Sequence, residues 1–191
     1  MSYLMGIDLG TSSTKTLIID TDGRTAGIGN AGYGIRIPQI SWAEQNPEEW
    51  WEAVKASIRQ AMGKAGVSGH EIAGIGFSGQ MHGMVALDEN KKLVCPAIIH
   101  LDQRSSEDLE EIRAIAGDLM QKELLNRPSA GMMISTVYWM KKHQPEVYDR
   151  IRYVMSPKDY ISFLLCGAIG TEYTDAGATL AFSVKNNHWC T

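Results

Sequence analysis

The sequence predicts an α/β fold, a mixed sheet covered by helices. Three observations carry that expectation. Strand-like runs near the N-terminus are joined by a tight turn, one well-capped amphipathic helix leads into a further strand, and the second half reads mostly as helix. Hairpins flanking a helix-connected strand imply antiparallel and parallel pairing in one sheet. The order is three strands, helix, strand, hairpin, then helices, which is not the strict alternation of a dinucleotide-binding fold.

"YLMGIDLG" is the first strand, and "KTLIIDTDGRTAGIGNAGY" gives two more around the turn at Asp22-Gly23. In "SWAEQNPEEWWEAVKASIRQAMGKAG", Asn46 is an N-cap, Pro47 suits the first helical position, and Glu48 and Glu49 complement the macrodipole. Trp50, Val54, Ile58, Ala61 and Met62 form an apolar stripe, and Gly66 ends the helix. "EIAGIGFSGQMHG" reads as a buried strand running into a loop, and "MVALDENKKLVCPAII" as a hairpin turning near Glu89-Asn90. A helix from about Ser106 places Leu109, Ile112, Ile115, Ala116 and Leu119 on one side. "ISTVYWMKKHQPEVYDRIRYV" reads as two helices parted at His143-Gln144, because Pro145 disfavours helix before it. "SPKDYISFLLCG" opens a last helix at Ser156-Pro157 and closes it at Gly167.

With 191 residues, 44% hydrophobic and 21% charged, the chain suits one large domain with a real core. A net charge of −4 with no basic cluster argues against nucleic acid. Cys95, Cys166 and Cys190 form no disulfide framework or zinc knuckle, and the five histidines lack metal-ligand spacing. A cytoplasmic location is the expectation. The longest apolar run, "YISFLLCGAIG", falls far short of a bilayer span, and no signal peptide is expected. "GIGFSG" lacks the G-x-G-x-x-G phasing of a dinucleotide site.

Four segments carry candidate chemistry. In "MGIDLGTSSTK", Asp8 ends a strand and Gly10 permits an unusual backbone. The N–H groups and hydroxyls of Thr11, Ser12, Ser13 and Thr14 are expected to converge on one concavity. Such a nest binds phosphate oxygens without net positive charge. Lys15 adds a point charge, and Asp8 suits water-mediated Mg²⁺. The alternative is a polar hairpin whose side chains satisfy turn amides. "GFSGQMHGM" places Gln80 and His82 after a strand, where an amide and an imidazole suit a polyhydroxy ligand; His82 tying down a turn is the rival reading. Trp42 and Glu44 precede the capped helix as a sugar-binding pair or a hydrophobic staple. Asp102 and Arg104 in "HLDQRS" are a further site or a surface ion pair.

Taken jointly, "GIDLGTSSTK", "WAEQNPEEWW", "GFSGQMHG", D-Q-R, "SPKDY" and "TDAGAT" resemble the N-terminal domain of the FGGY carbohydrate kinases, most closely the xylulokinase-like branch. The resemblance runs along essentially the whole chain. It implies an actin-like, hexokinase-like ATPase domain with a ribonuclease H-like mixed sheet and flanking helices, here residues 1–191 as the N-terminal half. It further implies transfer of the ATP γ-phosphoryl group to a sugar hydroxyl with Mg²⁺, D-xylulose being the expected acceptor. Gluconate, another pentulose or a polyol is the alternative within the family, and a non-catalytic sugar- or ATP-binding module the alternative outside it.

On this resemblance Asp8 matches the metal-associated, catalytic aspartate, and Gly10, Thr11, Ser12, Ser13 and Lys15 match the first phosphate loop. Gln80, Met81 and His82 match the ketose-contacting segment, with Trp42, Glu44, Asp102, Arg104 and Asp175 near the sugar side of the cleft. His100-Leu101 stands where the family often has Trp-Asn, and Thr136 where it often has Lys. The expected partners are a small sugar, ATP, the chain's own C-terminal domain and a second copy in a homodimer, with neither nucleic acid nor membrane. The family's general base and adenine site lie in the sequence after residue 191, so the chain reads as an incomplete piece that is inactive alone.

Overall fold

The computed structural model describes residues 2–190. Strands β1 (Tyr3–Leu9), β2 (Ser13–Asp20) and β3 (Thr25–Gly32) form an antiparallel meander. A short strand β4 (Glu44–Gln45) leads into helix α1 (Pro47–Ala65). Strand β5 (Ile72–Gly79) then returns parallel to β1, giving a four-stranded mixed sheet in the order β3-β2-β1-β5. A strand joined to its parallel neighbour needs such a crossover, and α1 supplies it.

The caps of α1 agree with the sequence. The Asn46 side chain accepts from the Glu48 N–H at 3.0 Å, Pro47 occupies the first turn, and Gly66 closes the helix in the left-handed region. Trp50, Val54 and Ala61 face the sheet, where they meet Met5, Ile7 and Leu9 of β1 and Ile18 of β2 in one core. Buried Thr16 and Ser57 join their hydroxyls across this interface at 2.7 Å. Two glycines of β3 permit the close approach: a Cβ on Gly29 would lie 1.9 Å from the Ser57 carbonyl oxygen, and one on Gly27 2.2 Å from that of Ala61.

Three expectations need correction. Strand β5 is not buried but forms the sheet's edge, with Ile75 43% exposed and Gly74 and Gly76 offering no side chain to cover. The hairpin after it does not extend the main sheet. Its strands β6 (Val85–Leu87) and β7 (Ala97–Ile98) join small sheets of their own, β7 pairing with β4.

After a short 3₁₀ turn, α2 (Leu109–Leu119) runs into a π-helical turn over Met120–Leu124. Helices α3 (Met133–His143) and α4 (Pro145–Tyr148) part at Gln144 as Pro145 requires. The third correction follows α4, which lasts one turn. "RYV" leaves it for strand β8 (Tyr153–Met155), because Tyr153 to Met155 find partners in β6 that a lone helix would not offer. Helix α5 (Pro157–Cys166) begins after Ser156 and ends at Gly167 as read from the sequence. A short α6 (Tyr173–Ala178) and the hairpin of β9 (Phe182–Ser183) with β10 (His188–Trp189) complete the chain. Among the described residues no helix is long and apolar enough to cross a membrane.

Because β1 and β5 run parallel in register, with Asp8 beside Ser78 and Leu9 beside Gly79, their C-terminal ends finish together. The Gln80 N–H donates to the Leu9 carbonyl at 2.7 Å, which fixes the two following loops side by side. Gly29→Ala tests how closely the helix must seat. Its methyl group would overlap the α1 backbone, and urea unfolding is expected to show a loss of about 1–3 kcal/mol.

Candidate active site

The first loop forms where β1 turns into β2. Gly10 N–H donates to the Ser13 carbonyl at 3.0 Å, and the loop is held from outside by three groups. The Tyr33 N–H donates to the Ser12 carbonyl at 3.0 Å, its hydroxyl to the Gly10 carbonyl at 2.5 Å, and Gln45 Nε2 to the Thr11 carbonyl at 2.8 Å. Asp8, Ser12 and Lys15 are exposed, with Asp8 directly across the β1–β2 ladder from Lys15, and Thr11 and Ser13 are half-buried. Thr14 departs from the expected nest. Strand alternation turns its side chain into the core, so its hydroxyl is fully buried and does not join the concavity. Burial and then the Asp8 charge hold the Tyr33 phenol well above its ordinary pKa, so it stays a neutral donor.

The second loop continues β5. Gln80 is buried, its Nε2 donating to Gln45 Oε1 at 2.9 Å, while its own Oε1 has no partner. Met81 is 57% exposed. His82 adopts the left-handed region at φ 63°, which is uncommon for a non-glycine residue, and the next N–H, of Gly83, donates to the Met81 carbonyl at 2.7 Å. Met84 pairs with Ile98 in an antiparallel bridge, and that register, continued two residues, sets His82 opposite His100. Both imidazoles bury an unpartnered Nδ1. Burial, then the charge of His82, holds His100 below the usual imidazole pKa.

Behind these loops lies a closed charged cluster. Asp102 accepts from the Ala43 N–H at 2.7 Å and from Arg104 through both carboxylate oxygens at 2.9 Å. Arg104 also donates to Glu44 at 2.7 Å and lies 3.7 Å over the Trp42 ring, which meets Trp139 edge-on. The side chains of Asp102 and Arg104 are 1% and 2% exposed, so the surface ion-pair reading is overturned. Trp42, Glu44, Asp102 and Arg104 thus turn toward one another, and they fix the segment that carries His100.

Asp175 stands apart in α6. Lys158 reaches it at 2.9 Å and Asp159 at 2.8 Å, with Ser156 Oγ 2.6 Å from Asp159, beside a cavity of about 480 Å³ also lined by Met155, Thr171 and Trp189. Burial opposes the Lys158 ammonium, yet the hydrogen bonds it donates to Asp159 and Asp175 keep its pKa above the ordinary value. A Cβ on Gly79 would touch Lys158 Cβ at 3.1 Å, so this network abuts the end of β5 from behind.

The structure therefore joins Asp8, Gly10 to Ser13 and Lys15 to Gln80, Met81 and His82 at adjacent strand ends. It sets Trp42, Glu44, Asp102 and Arg104 as their support and Asp175 beyond. The sequence does not mark Tyr33, Gln45 or Lys158, nor His100 as a site residue, since His100 comes to the site through the Met84–Ile98 bridge. Each of the first three acts across 23 or more residues of sequence or through a neighbour's backbone, and nothing in their local pattern marks them. Among the described residues no group of three metal-ligating side chains assembles, and the Asp8 carboxylate makes no ion pair.

Residues 3–191 match the description "FGGY family of carbohydrate kinases, N-terminal domain". A xylulose kinase of Lactococcus lactis is 38% identical over 189 residues, 99% of this chain and 38% of that protein. A solved structure titled as a xyloylose kinase from Brucella ovis superposes with TM-score 0.93 at 29% identity, over 98% of this chain and 39% of that one. The gluconate kinase of Lactobacillus acidophilus gives TM-score 0.90 at 25% identity, over 98% and 38% of the two chains. The chain thus spans well under half the length of the relatives it matches.

Arg104→Met leaves Asp102 buried without its counter-charge, and chemical denaturation is expected to show a loss of roughly 3–5 kcal/mol. A pH effect follows from His100. Its folded pKa lies below the ordinary 6.5, so the unfolded chain takes up the proton first. Stability is expected to fall as pH drops below 6.5, and His100→Gln should shallow that fall in urea titrations repeated across pH.

Proposed function

The chain belongs to the FGGY family of carbohydrate kinases, and from that premise we propose that residues 1–191 form the N-terminal domain of an ATP-dependent sugar kinase. Its expected reaction moves the γ-phosphoryl group to a hydroxyl of D-xylulose. The observation that carries the reading is the juxtaposition of two unlike loops at the parallel ends of β1 and β5. One offers an exposed carboxylate and hydroxyls, and the other unpartnered polar atoms on Gln80 and His82, faced by that of His100 from the segment after β7. Xylulose as acceptor is supported by the names of the relatives from Lactococcus lactis and Brucella ovis.

Each residue has a chemical task on this reading. Ser12, Ser13 and the loop N–H groups orient phosphate oxygens, and Lys15 adds positive charge beside them. Asp8 would hold the Mg²⁺ of the nucleotide, and the ion would supply neutralisation of charge on the transferring group. Gln80, His82 and His100 take up hydroxyls of the acceptor and set its reactive oxygen toward the phosphate loop. The general base and the adenine contacts are assigned to the family's C-terminal domain, outside these 191 residues. Gluconate is the second reading, favoured by the likeness to a gluconate kinase. Three free thiols, at Cys95, Cys166 and Cys190, support a reducing cytoplasm.

A thermal-shift titration of the chain with D-xylulose, gluconate and glycerol tests the assignment. At a hundred times its Kd a ligand of the folded state adds about 2.7 kcal/mol, so even a weak sugar registers. D-xylulose is expected to give the largest shift and His82→Leu to abolish it. No shift with any of the three would overturn the reading, and a shift with gluconate alone would move it to the second acceptor.

A further inference from the structure

We infer that Gln45 is a positioning residue that fixes which end of the Gln80 amide the acceptor meets and ties that choice to the phosphate loop. The inference deepens the sugar-kinase reading and rests on it for the identity of the ligand. Gln45 is 1% exposed and uses its full hydrogen-bonding capacity. Its Nε2 donates to the carbonyls of Thr11 at 2.8 Å and Gly34 at 3.0 Å. Its Oε1 accepts from Trp50 Nε1 at 3.2 Å and Gln80 Nε2 at 2.9 Å.

The chemistry of these partners admits one orientation. Two carbonyl oxygens need donors, and an indole N–H only donates, so the Gln45 amide cannot be reversed without losing three bonds. Gln80 must therefore point its NH₂ at Gln45. Its Oε1, buried and unpartnered, is left as a lone acceptor. A lone buried acceptor is satisfied by a donor, so the site is built at this point for a neutral hydroxyl and against a carboxylate oxygen. The same Gln45 amide restrains Thr11, so the phosphate loop and the sugar loop share one buried side chain although they lie about 70 residues apart in sequence.

Side-chain amide exchange in the ¹⁵N-labelled chain, read by NMR without any sugar, tests the positioning directly. The NH₂ groups of Gln45 and Gln80 are expected to be protected in the native chain. Gln45→Leu should free the Gln80 NH₂ and lower D-xylulose affinity about tenfold, the scale of one hydrogen bond lost. Gln45→Glu keeps acceptors for Trp50 and Gln80 but removes the donors, so it should retain Gln80 protection while speeding exchange at the Thr11 to Ser13 amides. In the cycle of Gln45→Leu, Gln80→Leu and the double variant, the losses of D-xylulose affinity should fail to add.

Unprotected Gln80 in the native chain, or additive losses in the cycle, would overturn the inference. Absence of D-xylulose binding by the native chain would count against the sugar-kinase reading alone, because the exchange measurement decides the role of Gln45 without ligand. Should Gln45→Leu not fold, native-chain exchange and the Gln45→Glu variant decide it.

Discussion

Everything at the site depends on the parallel pairing of β1 with β5, which finishes in the hydrogen bond from the Gln80 N–H to the Leu9 carbonyl. Antiparallel pairing would send the loops after β1 and β5 to opposite ends of the sheet. Parallel pairing sends both to one end, at the price of a crossover that α1 provides by lying on the glycines of β3. Helix seating and site geometry are therefore one problem. A helix held away from Gly27 and Gly29 would also shift Trp50, whose indole anchors Gln45.

Rigidity at the strand ends comes from buried polar groups with their partners in place. Arg104 and Asp102 would each be costly alone in the interior, yet together with Glu44 and the Ala43 N–H they lock the chain on either side of β4 and β7. Tyr33 and Gln45 do the same for the first loop. Buried polar groups in folded proteins are normally satisfied, and of the unpartnered buried atoms here those of Thr14, Ser105 and Ser135 are lone hydroxyls, whereas those of Gln80, His82 and His100 gather at one place. Three orphans around one loop are the expected signature of a place where a ligand completes the network.

Much of this was legible in the sequence where the controlling interactions are local. Asn46, Pro47 and Gly66 bound α1 through bonds within a few residues, and Ser156, Pro157 and Gly167 do so for α5. The resemblance carried the order of the loops. What escaped was set by distant partners. β5 reads as apolar and hence buried, but edge or centre is decided by which strands find it. "RYV" has a helical context and becomes β8 only because β6 is nearby. Thr14 looks like one more loop hydroxyl until strand pairing assigns its face, and Gln45 looks like an ordinary residue before a cap until four separate segments meet it.

The most direct test of the account is backbone amide shift mapping of the chain with D-xylulose and, separately, with Mg-ATP. Two neighbouring patches are predicted, Gln80 to Gly83 with His100 for the sugar and Gly10 to Lys15 for the nucleotide. Perturbations that instead cluster around Asp175 and the cavity beside α5, or that leave both loops unmoved, would contradict it.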